Sequence, residues 1–289
     1  MARTGPFDTV AQPAAAVKRW SSLRTDTLAL DNQPFSHTEL GHMKISQRLR
    51  DALLSARRVV AFTGAGMSAE SGVPTFRGHQ GIWKKFRPEE LASMEAFLRN
   101  PALVWEWYAA RKKIIREVEP NPGHYALARM ESLLPSFTIV TQNIDNLHRR
   151  AGSSTIFELH GNIERNYCID CGAPQEEERP IPSSGTPECN ECSGLVRPDV
   201  VWFGEMLPED QWEGAERAIE SADVVLSIGT SGVVYPAAGL PVRGKQRGAY
   251  TVEINPEPTE LSDWMDEVVR ESSAAALPAL VSALERGRG

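Results

Sequence analysis

The stretch Val59-Val60-Ala61-Phe62-Thr63-Gly64-Ala65-Gly66-Met67-Ser68-Ala69-Glu70-Ser71-Gly72 carries the fold. A short β-branched, apolar run ends in glycine and passes straight into small residues, the pattern of a strand turning into a helix. Glycines at that turn let backbone amides approach a pyrophosphate at the positive end of the helix. The spacing is G-x-G-x5-G and not G-x-G-x-x-G, and no acidic residue closes a second strand about 20 positions on. On these residues alone a plain tight turn is an equal reading. Val73-Pro74-Thr75-Phe76-Arg77-Gly78 follows, an apolar and aromatic loop with a fixed cation near its end, suited to form a flexible wall over a ligand.

Outward from this stretch, short apolar runs alternate with helical patterns, which predicts a parallel sheet covered on both faces. The expected strands are Arg58–Phe62, Thr138–Thr141, Ile156–Leu159, Asp223–Ile228 and Ala249–Ile254. A helical region from Pro88 to Leu134, punctuated by Pro101 and Pro120, is too long for a simple crossover. The expected class is therefore α/β: a doubly wound, Rossmann-like large domain built from about residues 43–80, 135–162 and 200–289. A small lobe joins inserted helices, about 81–134, to a cysteine module, about 163–199. Residues 1–42 lack sustained apolar periodicity and read as a flexible extension, with Met43 near the start of the folded unit. The chain has 31 Lys+Arg against 38 Asp+Glu, a net charge of −7, which argues against nucleic acid as a partner. No apolar run approaches the roughly 20 residues of a membrane span.

The four cysteines are Cys168, Cys171, Cys189 and Cys192, spaced C-x2-C-x17-C-x2-C. That spacing suits a tetrathiolate zinc site, whose closed coordination stabilises a fold and leaves no position for Lewis-acid chemistry. Thr141-Gln142-Asn143-Ile144-Asp145-Asn146-Leu147-His148 begins where a strand should end, the place where open α/β sheets bind ligands. Asn143 and Asp145 alternate on one side of an extended segment and can face one pocket; an Asx-rich turn capping the next helix is the competing account. His160, after Phe157-Glu158-Leu159 and before Gly161, is either a hydrogen-bonded structural histidine or a general base near neutral pH.

Taken together, these segments resemble the sirtuins, NAD-dependent protein-lysine deacylases, over about residues 43–285. The resemblance runs in order through Gly64-Ala65-Gly66-Met67-Ser68, Pro74-Thr75-Phe76-Arg77-Gly78, Thr141-Gln142-Asn143-Ile144-Asp145 and Leu159-His160-Gly161-Asn162. It continues through the two cysteine pairs, Arg197-Pro198-Asp199-Val200-Val201-Trp202-Phe203-Gly204-Glu205, Gly229-Thr230-Ser231 and Ile254-Asn255. It implies that Gly64, Ala65, Gly66, Ser68 and Ala69 hold the NAD pyrophosphate. Thr75, Phe76, Arg77 and Trp83 would belong to the cofactor loop guarding the glycosidic bond. Asn143, Ile144 and Asp145 would seat the nicotinamide and Gln142 would touch its ribose. Gly229, Thr230 and Ser231 would meet phosphate and the adenosine ribose, Asn255 and Glu257 that ribose's hydroxyls, and Ser273 the adenine edge. His160 would be the general base, with Asn143 beside it in the catalytic set. Val201, Trp202, Phe203 and Gly204 would pair with the peptide carrying the acyl-lysine. In this chemistry the acyl oxygen attacks the ribose carbon as nicotinamide leaves, and free lysine and O-acyl-ADP-ribose result.

Tyr108 and Arg111 lie three apart in Trp105-Glu106-Trp107-Tyr108-Ala109-Ala110-Arg111, so on a helix they share a face. A guanidinium fork matches a carboxylate, and a phenol adds one more donor. A Tyr-x-x-Arg pair here resembles the sirtuin branch that removes succinyl and malonyl groups; an arginine on a solvated face beside a core tyrosine is the plainer alternative. Rival functions are deacetylation without acidic preference, mono-ADP-ribosyl transfer and a non-catalytic NAD-sensing module. The expected cofactors are NAD and one structural zinc ion, the expected partners acyl-lysine proteins or peptides, and the expected state a monomer. Reduced cysteines and the lack of a secretory signal point to the cytoplasm; the mitochondrial matrix is the alternative should residues 1–25, with Arg3, Lys18, Arg19 and Arg24 against Asp8 alone, act as a transit peptide.

Overall fold

The computed structural model describes residues 45–75, 91–176 and 185–288. The N-terminal extension and the positions Phe76, Arg77 and Trp83 lie outside the described residues.

β1 (Val59–Thr63) is buried along its whole length, as the near-continuous apolar run of a central parallel strand requires. Its neighbours are β2 (Phe137–Thr141) on one side and β7 (Val224–Ile228) on the other, all parallel. β3 (Ile156–Glu158) extends the sheet beyond β2, while β8 (Tyr250–Ile254) and β9 (Glu267–Val269) extend it beyond β7, giving the order β3-β2-β1-β7-β8-β9. Numbered within this sheet alone, that is 3-2-1-4-5-6, the doubly wound order of dinucleotide-binding folds, with its reversal between β1 and β7. Each of the five expected strands forms, with bounds shifted by a residue at most at either end.

Alternate side chains of β1 serve opposite layers. Val59 and Ala61 join a core with α1 (Gln47–Ser55), α4 (Pro122–Leu133) and α8 (Ser273–Arg288), through Leu49, Leu53, Leu127, Met130, Leu277 and Leu280. Val60 and Phe62 point the other way, toward Ala215 and Ile219 of α6 (Glu209–Glu220) and Leu240 of α7 (Leu240–Gln246). The long helical insertion resolves into α2 (Met94–Arg99), α3 (Pro101–Glu117) and α4, each started by a side-chain cap. Ser93, Asn100 and Asn121 accept from the first free amides, and Pro101 and Pro122 occupy the first helical position, where no N–H is missed.

A second, antiparallel sheet of order β5-β4-β6 consists of β4 (Gly161–Cys168), β5 (Pro174–Gln175) and β6 (Val196–Val200). The sequence did not suggest these strands: β6 reads Val-Arg-Pro-Asp-Val and β4 is largely polar, so neither has the apolar signature. Their buried face packs on α2 and α3 in one shared core of Phe97, Trp105, Tyr108, Ile115, Ile163, Val196 and Trp202.

Gly161 joins the two sheets at φ +78°, and a Cβ there would stand 2.2 Å from the Asp199 carbonyl oxygen. Gly248 has a comparable φ of +98° with nothing within 4 Å. Gly161→Ala is therefore expected to lower unfolding free energy by about 3 kcal/mol, since backbone must shift, and Gly248→Ala by only about 1 kcal/mol. Urea melts of the two variants check the difference.

Candidate active site

Four loops converge beyond the carboxyl ends of β1, β2, β7 and β8, at the point where the strand order reverses. Gly64 N–H donates to Ile228 O at 3.0 Å and Gly66 N–H to Gly229 O at 2.8 Å, so the segment after β1 lies directly on the turn after β7. Only glycine permits this approach: a Cβ on Gly66 would be 2.8 Å from Gly229 Cα, and one on Gly229, at φ +58°, 2.4 Å from Met67 N. The segment after β1 is a tight helix of 3-10 type, Ala65–Ser71.

Ser68 is fully buried and stands at the centre of the polar set. Its hydroxyl donates to Asp145 Oδ2 at 2.6 Å, and Asn143 Nδ2 donates to Ser68 Oγ at 3.2 Å and to Gly64 O at 3.0 Å. The structure thus brings Asn143 and Asp145 together on one hydroxyl. Asp145 Oδ1 also accepts from Leu147 N–H at 3.0 Å, an Asx turn leading into α5 (Leu147–Arg150), whose N-cap Asn146 makes no side-chain capping bond. Burial pushes the Asp145 carboxyl above the usual range, opposed by the Ser68 hydroxyl, the Leu147 amide and the cations Arg111 and Arg150.

Gln142 donates to Thr230 Oγ1 at 2.9 Å and Asn255 Nδ2 to Thr230 O at 3.1 Å, linking the ends of β2, β7 and β8. Ser231 and Thr75 are half-buried, and Ala69 and Glu257 are exposed. Ser273 is buried, its hydroxyl 3.5 Å from Met67 O. The buried donors and acceptors of Ser68, Asn143, Asp145 and Thr230, beside a glycine crossing that leaves the loop without side-chain bulk, fit an amide- and phosphate-bearing dinucleotide.

His160 stands at the crevice edge, in the turn between β3 and β4. Its Nδ1 lies 3.0 Å from Gln142 O, which makes that nitrogen the N–H donor and turns Nε2 into a proton acceptor. Burial holds its pKa below the ordinary histidine value against that hydrogen bond, so the ring is neutral near pH 7. Val201 N–H donates back to His160 O at 3.0 Å, and Phe203 N–H to Ala92 O at 3.0 Å. Phe203 is exposed and Trp202 buried.

His124 and His148 had no role in the sequence reading. His124 lies 3.4 Å from Ser68 Oγ, and His148 Nε2 lies 2.9 Å from Thr63 Oγ1, which in turn donates to Thr141 Oγ1. Their ring centroids are 5.0 Å apart. Both back the polar set from inside the protein, where a sequence shows only a helix-start histidine after Asn121-Pro122-Gly123 and one more helical residue.

Tyr108 and Arg111 are both buried on α3. The Arg111 guanidinium lies 4.9 Å from the Trp107 ring centroid and 6.0 Å from that of Tyr108. Burial pulls its pKa down while Tyr108 and Asp145 hold it up.

The Sγ atoms of Cys168, Cys171, Cys189 and Cys192 all lie within 4.8 Å of one another, with Cys168–Cys192 at 3.5 Å and Cys171–Cys189 at 3.7 Å. A tetrahedron with metal–sulfur bonds of about 2.3 Å has edges of about 3.8 Å, so the set fits one zinc ion. Among the described residues no helix is long and apolar enough to cross a membrane.

A doubly wound sheet with a histidine, amide and carboxylate at its switch point, beside a four-cysteine module, defines a dinucleotide-dependent enzyme with a structural metal site. The Sir2 family model matches residues 64–236, and the chain belongs to that family. It is 49% identical over 236 residues to NAD-dependent protein deacylase 2 of Pyrobaculum aerophilum, covering 82% of this chain and 94% of the relative. The NAD-dependent protein deacylase of Mycobacterium tuberculosis is 47% identical over 232 residues, 78% of this chain and 98% of its own. Among solved structures, a Sir2 homologue in complex with NAD superposes with a TM-score of 0.80 at 43% identity, covering 85% of this chain and 96% of that one. A Sir2 homologue mutant bound to ADP-ribose gives 0.81 at 43% identity, with 84% and 98% covered.

Two outcomes follow from this geometry. Burial depresses His148 to a pKa of about 4 and His124 to about 2, with His148 adding to the latter by charge repulsion. As pH falls below about 6.5 the unfolded chain takes up protons that the folded one refuses, so stability falls on acidification. The limiting slope is about 1.4 kcal/mol per pH unit for each such histidine, and urea melts between pH 7 and 5 should show His148→Gln to be shallower by one proton. Separately, a strong chelator is expected to remove about one zinc per chain and lower the melting temperature, with Cys171→Ser giving the same metal-free, destabilised protein by elemental analysis and calorimetry.

Proposed function

We propose that this Sir2-family enzyme, an NAD-dependent protein-lysine deacylase, acts on acidic acyl groups, succinyl and malonyl, and more weakly on acetyl. The observation that carries the preference is the pair of buried donors on α3, Tyr108 and Arg111. A ligand carboxylate would accept the guanidinium fork and the phenol proton together, a match of shape and charge that a methyl-ended acyl group lacks.

NAD, once bound, supplies a ribose carbon that releases nicotinamide and takes the acyl oxygen. The residues of this chain do the rest. Gly64, Ala65, Gly66, Ser68, Thr230 and Ser231 hold phosphate and ribose, Asn255 and Glu257 the adenosine sugar. Asn143 and Asp145, ordered by Ser68, present an amide and a carboxyl to the nicotinamide carboxamide. His160 takes a hydroxyl proton at Nε2 because Gln142 O fixes its proton on Nδ1. The Val201–Gly204 segment receives the peptide; two of its N–H groups are already committed to His160 and Ala92, so an incoming strand meets carbonyls there. Solved relatives include a Sir2–p53 peptide–NAD+ complex at 32% identity, which supports a lysine-bearing peptide as the partner. Cys168, Cys171, Cys189 and Cys192 would hold a zinc ion, which would keep the small sheet folded.

The test is mass spectrometry of one peptide carrying acetyl-, malonyl- or succinyl-lysine, with and without NAD. NAD-dependent loss of succinyl is expected and should vanish in His160→Tyr. Arg111→Met should cut kcat/KM for succinyl roughly 100-fold or more, and for acetyl far less. Equal losses would remove the acidic preference and leave the deacylase.

A further inference from the structure

Trp202 is 2% exposed and reaches from the loop after β6 to helix α3, where its indole Nε1–H donates to the Tyr108 hydroxyl at 2.8 Å. Three contacts hold the indole in place. The Arg197 guanidinium lies 3.4 Å from its ring centroid, and the Phe97 ring packs on it at 5.2 Å. Its backbone N–H donates to Glu205 Oε2 at 2.7 Å, and that oxygen also accepts from Arg197 Nη2 at 2.9 Å. The indole cannot turn away from Tyr108 without disturbing an ion pair whose arginine is 1% exposed.

The consequence falls on the phenol. An indole N–H only donates, so the Tyr108 oxygen is the acceptor in this bond and its own proton must point elsewhere. Burial keeps the phenol protonated, its pKa pushed up to about 12 although Arg111 and Trp202 act against the shift. A hydroxyl that already accepts from a donor stacked under a cation is itself the stronger donor. One helical turn on, Arg111 adds a second, charged donor on the same face.

We propose that Trp202 is a positioning residue that favours acidic acyl groups by holding the Tyr108 hydroxyl as a proton donor beside Arg111. This rests on the reading of Tyr108 and Arg111 as the site of the distal carboxylate. It adds a residue that sets the clamp from behind. An acetyl group ends in a methyl, accepts nothing from either donor and gains nothing from the indole bond.

The experiment compares kcat/KM for succinyl- and acetyl-lysine forms of one peptide in the full-length enzyme and in Trp202→Phe, Tyr108→Phe, the double variant and Arg111→Met. Trp202→Phe is expected to lower the succinyl-to-acetyl ratio about tenfold, through a raised KM for the succinyl peptide. In the Tyr108→Phe background the same change should leave the ratio where Tyr108→Phe put it, because the hydroxyl it works through is gone. A merely structural tryptophan would instead lower both substrates alike and show no such coupling. If Trp202→Phe leaves the ratio intact, or lowers it equally in both backgrounds while Arg111→Met still cuts it, the Trp202 role is overturned and the clamp stands. If Arg111→Met also leaves the ratio intact, clamp and Trp202 role fall together. Should Trp202→Phe not fold, 3-benzothienylalanine at position 202, which keeps the ring shape and lacks the N–H, carries the same expectations.

Discussion

Two backbone turns touch in the middle of this molecule, and the crevice exists because they do. Gly66 donates to the Gly229 carbonyl, and neither glycine tolerates a Cβ against the other chain segment. The contact closes the gap between β1 and β7, where helices depart to opposite faces of the sheet and leave a cleft. With the turns in van der Waals contact, Ser68 comes to rest beneath Asn143 and Asp145, and Thr230 meets Gln142 and Asn255. A side chain wedged between the turns would separate Ser68, Asn143 and Asp145 from Thr230, Gln142 and Asn255.

The small antiparallel sheet depends on a different kind of packing. Three short polar strands bury little apolar surface of their own, and a sheet that small is marginal unless something covers it. Here α2 and α3 cover it with Phe97, Trp105, Tyr108 and Ile115, while the four thiols gather beside it in a set that fits one zinc ion. One helix therefore both covers the cysteine module and carries Tyr108 and Arg111 toward Asp145, so that the module and the crevice share a core.

The large sheet was legible in the sequence because β1, β2, β7 and β8 are buried on both faces over most of their length and are mainly β-branched and apolar, with Ser227, Thr251 and Glu253 among the buried polar exceptions. β9 was not, having three residues at an edge, and β6 was not, because Pro198 sits within it and its Arg197 is buried by pairing with Glu205 and by stacking on Trp202, a compensation that lies in tertiary structure. The site shows the same division. His160, Asn143 and Asp145 stand out as polar residues at strand ends, whereas His124 lies 56 residues from the hydroxyl it approaches.

That hidden histidine pair shows how a buried polar set can be backed by further hydrogen-bonding groups without added charge. His124 and His148 stay neutral, so they offer hydrogen-bonding nitrogens behind Ser68 and Thr63 without adding positive charge beside Asn143 and Asp145. Deep burial of imidazole is thus a means of supplying polarity without charge, and the cost of that burial, refusal of protons on acidification, is the same physical fact seen from the side of stability.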